Sequence, residues 1–302
     1  MTFGIQASTA LEKFDDLFTG NPVDIEKNLS DLLPQAEALA DKSIYLQILS
    51  QVALAQAMQK KFEIAHGTLD HAEGLLTPDY TLARIRILLE RGRVFHQADD
   101  IDAALPLFEA SWKLSAEHGF DGNTINAAHM IAIVVQETND KIAWNQKAIE
   151  LAKKSQNPKA FSWLGALHNN LAQNYLESQE YQKAYDAFEA CKKYGEVRGD
   201  SIISRGGKWG MARALRSLGD IEKALSIQKE LSQEYELIAE NESLPFEIIT
   251  IGRGMVHEEL ALLYVDFAKK YAKSAHEDLS RDPWSVKLIP ERIQKMNEIE
   301  NF

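Results

Sequence analysis

LGALHNNLAQNYLESQEYQKAYDAFEACKK, residues 164–193, reads as two antiparallel helices joined by a short polar turn at Glu177 to Gln179. Ala172, Tyr175, Ala184, Phe188 and Cys191 fall in a small–large rhythm along it. Side chains three and four apart share a helix face. Small residues on that face let two helices approach to about 8–10 Å, and the bulky ones fill the space beside the crossing.

The neighbouring segments are worn copies of this hairpin. Gly92, Phe95, Ala104, Phe108 and Ser111 repeat its offsets, and so do Ala53, Gln56, Ala65, Leu69 and Ala72. Ala212, Leu215, Ala224, Gln228 and Leu231 do the same. The marker alanines Ala65, Ala104, Ala143, Ala184 and Ala224 stand 39, 39, 41 and 40 residues apart. A helical hairpin cannot bury both its faces alone, so a sustained period of this size predicts an all-α solenoid. The expected pairs are 43–58 with 62–76, 79–97 with 101–117, 123–137 with 141–155, 158–177 with 181–197, and 201–218 with 221–239. The pair at 123–155 has no fixed register, because Lys147 sits where a bulky apolar residue belongs; its turn is placed at Thr138-Asn139-Asp140.

Both ends are atypical. An N-terminal cap is expected over 1–42, with a helix at 8–18 and a second from Val23 to Ala40 that Pro34 bends or splits. The repeat array covers 43–240. The last part, 241–302, is a degenerate repeat whose two helices over 245–280 are either separate or fused. Pro283 and Pro290 then bracket a terminal segment and a capping helix at 290–300.

The residues resemble the tetratricopeptide repeat (TPR). That family sets a leucine and a small residue before an aromatic in the first helix of each pair, then Ala, Phe or Tyr, and Ala in the second. Leu171-Ala172, Tyr175, Ala184, Phe188 and Cys191 match that pattern, and Leu88, Gly92, Phe95, Ala104, Phe108 and Ser111 match it nearly as well. At about 40 residues the unit is similar to the long-helix repeats of kinesin light chains and of uncharacterised bacterial TPR proteins. The resemblance implies a right-handed superhelix of six or seven helical hairpins whose first helices line a concave, partner-binding groove.

Composition narrows the function. The formal charge of −12 disfavours nucleic acid, which needs a basic footprint, and anionic membrane surfaces. One cysteine, Cys191, excludes an internal disulfide framework and a multi-cysteine zinc site; a cytoplasmic location fits it. No secretory signal or transmembrane run is apparent.

The candidate binding residues lie on first helices. Arg205, Trp209, Arg213 and Arg216, at steps of four, four and three, form one stripe. A guanidinium beside an indole can hold a carboxylate, a phosphate or an aromatic ring. Asn169, Asn170 and Gln173 supply amides able to read a peptide backbone; groove amides of this kind belong to the long-helix repeats that the chain resembles. Arg86 and Arg93, seven apart, share a face that looks inward, while Arg84 and Arg91 share another. Inward arginines in an acidic protein predict an acidic or carboxylate-bearing ligand. Each feature has a plainer reading as a solvated face, a surface ion pair or a bond within its own helix pair.

Enzymatic signals are poor. His257-Glu258 opens like a zinc-protease motif, but Ala261 stands where the second histidine is required. Gly206-Gly207-Lys208 lacks the first glycine and the Ser/Thr of a phosphate loop. No cofactor or metal is expected. The sequence reading is therefore a non-catalytic scaffold that binds an extended, acidic peptide or partner tail. The alternative is a ligand-gated regulator that changes its curvature on binding a signal peptide. Self-association through the C-terminal segment is compatible with either reading.

Overall fold

The computed structural model describes residues 11, 13–241, 246–281, 286 and 290–302. Among these residues all regular structure is helical. The chain divides into two compact units, Met1–Leu167 and His168–Phe302.

Among the described residues the first unit opens with a helical Leu11 and a 3-10 turn, Phe14–Leu17. This is what the described residues contain of the helix expected at 8–18. The next expected helix is split, with α1 at Pro22–Ser30 and α2 at Leu33–Glu37. Pro34 lies in the first turn of α2, where its missing N–H costs nothing. Two regular pairs follow: α3 Ser43–Met58 with α4 Phe62–Gly74, and α5 Thr81–Gln97 with α6 Ile101–Glu117. A third pair is α7 Asp121–Val134 with α8 Thr138–Lys154. The short α9, Pro158–Phe161, precedes α10, Leu164–Glu177, which leads into the second unit.

The second unit continues with α11 Tyr181–Arg198, α12 Ser201–Ser217 and α13 Ile221–Glu240. One 36-residue helix, α14 Phe246–Arg281, then takes the place of the last pair, so the two expected helices are fused. Pro290–Glu300 forms α15. Most of the segment between Pro283 and Pro290 lies outside the described residues.

The hairpin turns show how sequence period becomes structural period. The middle residue of four of them is left-handed: Lys60, Asp99, Gln179 and Gly219. At two of these the next residue caps the second helix, with Asp100 accepting from Ala103 N–H and Asp220 from Lys223 N–H. The α7–α8 turn departs from this. Its residues are Val135 to Glu137, with Val135 extended, and the expected turn residues Thr138 to Asp140 are helical. A β-branched residue at the end of an apolar run favours extended backbone, and Val135 packs on the neighbouring core.

That shift corrects the register of α8. Ala143 is exposed, while Asn145, Ile149 and Ala152 hold the buried positions that Ala104, Phe108 and Ser111 hold in α6. The marker is therefore Asn145, whose amide donates to Lys141 O at 3.0 Å. Lys147 leaves the core and lies over the Trp144 and Trp112 rings at 3.9 and 4.9 Å. The markers Ala65, Ala104, Ala184 and Ala224 are fully buried.

Candidate binding surface on the first helices

In the first unit, hydrogen bonds run laterally from one first helix to the next. Gln51 Nε2 of α3 donates to Glu90 Oε1 of α5 at 3.0 Å. Arg93 Nη1 reaches Glu90 Oε2 at 2.9 Å, and Arg93 Nη2 donates to Asn126 of α7 at 2.6 Å. Glu90 is only 2% exposed, so its charge is held by this closed chain. Arg86 makes a two-bond pair with Asp15, both at 2.7 Å, and stacks on Phe14. Its expected inward face is thus occupied by the N-terminal turn. Arg91 points the other way, to Asp70 at 2.8 Å and Glu73 at 3.0 Å of α4, and Arg84 is exposed. The two expected arginine faces are distinct.

In the second unit the stripe lies on α12, between α10 and α14. Arg213 Nη1 donates to Gln173 Oε1 of α10 at 3.0 Å, and its guanidinium carbon sits 4.5 Å from the Trp209 ring centroid. Trp209 Nε1 donates to Met255 O of α14 at 3.2 Å. Arg216 Nε bonds Glu259 Oε1 of α14 at 2.6 Å, with Asp266 at 3.6 Å. Glu259 is 3% exposed, and its hydrogen bond and charge hold Arg216 above its ordinary pKa despite desolvation, the largest single influence, which acts the other way. Among the described residues, Arg213 meets no carboxylate. Asn169 and Asn170 are half-buried on α10, one turn before Gln173.

Arg205 has a different setting from the rest of the stripe. It is 8% exposed. Its Nη2 donates to Ser201 Oγ at 3.1 Å, and its guanidinium carbon is 5.4 Å from the Tyr235 ring centroid. Among the described residues the Nε is buried without a hydrogen-bond partner. Beside it α12, α13 and α14 line an open-mouthed cavity of about 240 Å³. Sequence reasoning placed Arg205 and Trp209 together but missed this cavity, whose far wall, Ile248 to Val256, comes from the segment that departs from the repeat. The signal that could have found it is the pair Gly206 and Gly252, two glycines inside helices.

The other candidates are structural. Gly206-Gly207-Lys208 is helical, and a Cβ on Gly207 would come within 2.5 Å of the Lys192 backbone. His257 and Glu258 are exposed on α14. The Cys191 thiol is buried and donates toward Ile203 O at 3.6 Å. Burial, and secondarily the Asp200 charge, push it up to about 11, so it stays a thiol near neutrality. Among the described residues no group of His, Cys, Asp or Glu is placed to hold a metal ion, and no helix is long and apolar enough to cross a membrane.

No protein-family model matches the chain, and no curated protein does. Solved structures do match in fold. A signal transduction ATPase with numerous domains from Pyrococcus horikoshii, with a tetratricopeptide repeat sensor, aligns at TM-score 0.65 and 14% identity, over 97% of this chain and 46% of that one. A Rap protein complexed with Competence and Sporulation Factor aligns at 0.54 and 14%, over 98% and 88%. A putative kinesin light chain of nearly identical TPR-like repeats from Podosopora anserina aligns at 0.53 and 15%, over 68% and 100%. Identities this low speak to fold alone, and with the helix pairs described above they make this chain an all-α protein of TPR-like repeats.

Proposed function

We propose that the protein is a non-catalytic scaffold that holds an acidic, extended peptide or partner tail on the first-helix face of its second unit. One observation carries this reading: Arg213 stacks on Trp209 and bonds the neutral Gln173, with no carboxylate against it among the described residues. Such a guanidinium keeps its charge and most of its donors for a ligand, and a carboxylate can take two of them at once. The amides of Asn169, Asn170 and Gln173 on α10 supply donors and acceptors suited to a peptide backbone. Among the described residues, the cavity beside Arg205 offers that arginine and Tyr235 as titratable groups, which is not an acid–base pair for catalysis. At the level of fold, the likeness to a Rap protein crystallised with a bound factor, and to repeats described as a sensor, favours binding over chemistry.

The test is affinity capture from the native cell, with wild type, Arg213→Glu and Trp209→Ala side by side. The reading expects at least a tenfold loss of the captured partner in both variants. Identical capture by all three would sink it. A second reading, a ligand-gated regulator, is favoured by Arg216, which ties α12 to the buried Glu259 of α14. An acidic ligand that competes for Arg216 would release α14. Solution scattering with and without the captured partner separates the two, since only gating requires a change of shape.

A further inference from the structure

We infer that the cavity beside Arg205 is an anchor pocket for a carboxylate carried on a compact apolar group, the C-terminal residue of a peptide ending in Leu being one example. The inference rests on the peptide-holding reading for its place in a longer ligand, but its chemistry stands on the pocket alone. The walls are Ile202, Trp209, Ile248, Ile251, Met255 and Val256, with Tyr235 behind Arg205. At about 240 Å³ the space falls just below the range of about 300 Å³ and upward that takes drug-sized ligands. It suits one large residue or a branched short-chain acid.

A cation in such a place is costly unless it is matched. Among the described residues, Arg205 has one hydroxyl, one aromatic face and an unmatched Nε–H, and no acid is bonded to it. The neighbouring cations are already spoken for. Lys208 pairs with Glu234, and Arg253 with Glu236 at 3.3 Å. An anion entering the pocket therefore finds Arg205 as its counterion. An internal apolar side chain would fill the walls and leave the Nε–H unmatched. A phosphate would match the charge and waste the walls. A carboxylate on an apolar body satisfies both.

Two glycines keep the space open. A Cβ on Gly252 would come within 2.3 Å of the Tyr235 phenol, so glycine there lets the ring lie against α14. A Cβ on Gly206 would meet nothing within 4 Å, because it projects into the opening. Trp209 belongs both to the pocket and to the Arg213 stack. A chain whose last residue fills the pocket can thus continue along the Arg213–Gln173 face.

Calorimetry on the full chain tests this with three probes: a short unstructured peptide ending in Leu with a free carboxylate, the same peptide as its C-terminal amide, and 4-methylpentanoate. The acid peptide should bind at least tenfold more tightly than the amide. Arg205→Met should erase that preference, and Gly206→Leu, whose Cβ enters open space, should abolish binding of the acid peptide. Thermal unfolding confirms that both variants fold. Tighter binding of 4-methylpentanoate than of the peptide assigns the pocket to a free acid, and the reverse assigns it to a chain terminus. Equal binding of acid and amide, binding that survives Gly206→Leu, or no binding of any probe at millimolar concentration overturns the pocket. Arg84→Gln, an exposed change on the first unit, should leave 4-methylpentanoate binding within twofold. Partner capture lost in Arg213→Glu with no carboxylate binding therefore breaks the pocket alone, and carboxylate binding with unchanged capture breaks the peptide-holding reading alone.

Discussion

Arg93 in the first unit and Arg213 in the second occupy the same place in their repeats, one residue after the small residue of the first helix, Gly92 or Ala212. Their surroundings differ by one position three residues earlier. There the first unit has Glu90, buried and bonded to Arg93 and Gln51. The second has Gly210, where a Cβ would come within 2.1 Å of the Phe188 ring. The close approach of α11 to α12 leaves no room for a side chain, so Arg213 has no acid at this position and turns to Gln173, itself the equivalent residue of the preceding repeat. One register position thus sets whether a repeat closes its charge internally or offers it. The difference teaches that an inward arginine is not in itself a binding residue; its local counterion decides.

The strongest way to break this comparison is Glu90→Ala beside Arg213→Gln. Removing Glu90 leaves a mostly buried Arg93 uncompensated and Gln51 without its acceptor. Breaking such a pair costs about 2–3 kcal/mol once the residual exposure of Arg93 is allowed for. Arg213→Gln gives up one hydrogen bond to a neutral amide and the stack on Trp209 at a half-buried site, and should cost no more than about 1 kcal/mol. Urea unfolding of both variants measures this. Equal losses would mean that both arginines are structural.

Acid titration sharpens the same contrast. Burial, with a smaller push from the Arg93 charge, lowers the His129 imidazole to about 4. In the unfolded chain it titrates near 6.5. The folded protein therefore keeps the ring neutral while the unfolded chain takes up a proton. The stability contributed is complete above pH 6.5 and is lost as pH falls toward 4, by about 2 kcal/mol between pH 7 and pH 4.5. His129→Phe should remove that slope, so wild type loses about 2 kcal/mol more than the variant over this interval. Parallel losses would show that the closed network of the first unit does not desolvate its histidine.

Most of the fold was legible in the sequence because helical repeats write their packing into small and large residues at fixed offsets. Ala184, Phe188 and Cys191 are buried as their spacing required. The register of α8 was not legible, since Ala143 kept the period by chance while Val135 ended the preceding helix early. The site was readable only in part. Spacing gathers Arg205, Trp209, Arg213 and Arg216 onto one helix face, but it says nothing of partners distant in sequence. Asp15 on Arg86 and Glu259 on Arg216 come from segments 71 and 43 residues away, and both lie in the irregular ends where the repeat gives no register to count from.

The smallest expected effect separates open from closed backbone at two helical glycines. At Gly92 a Cβ would fall within 2.5 Å of the Phe108 ring, which is fully buried and cannot swing away. Overpacking of this kind costs about 1–3 kcal/mol, against a gain of roughly 0.5–1 kcal/mol for replacing a helical glycine by alanine. Gly92→Ala should therefore destabilise by about 1 kcal/mol net. Gly206 borders the cavity and its Cβ meets nothing, so Gly206→Ala should show the propensity gain alone and stabilise by about 0.5–1 kcal/mol. Opposite signs in thermal unfolding are the expected result. A destabilising Gly206→Ala would mean that the opening beside Arg205 is filled by the protein itself, and would remove the physical basis for treating the second unit as the one that receives a ligand.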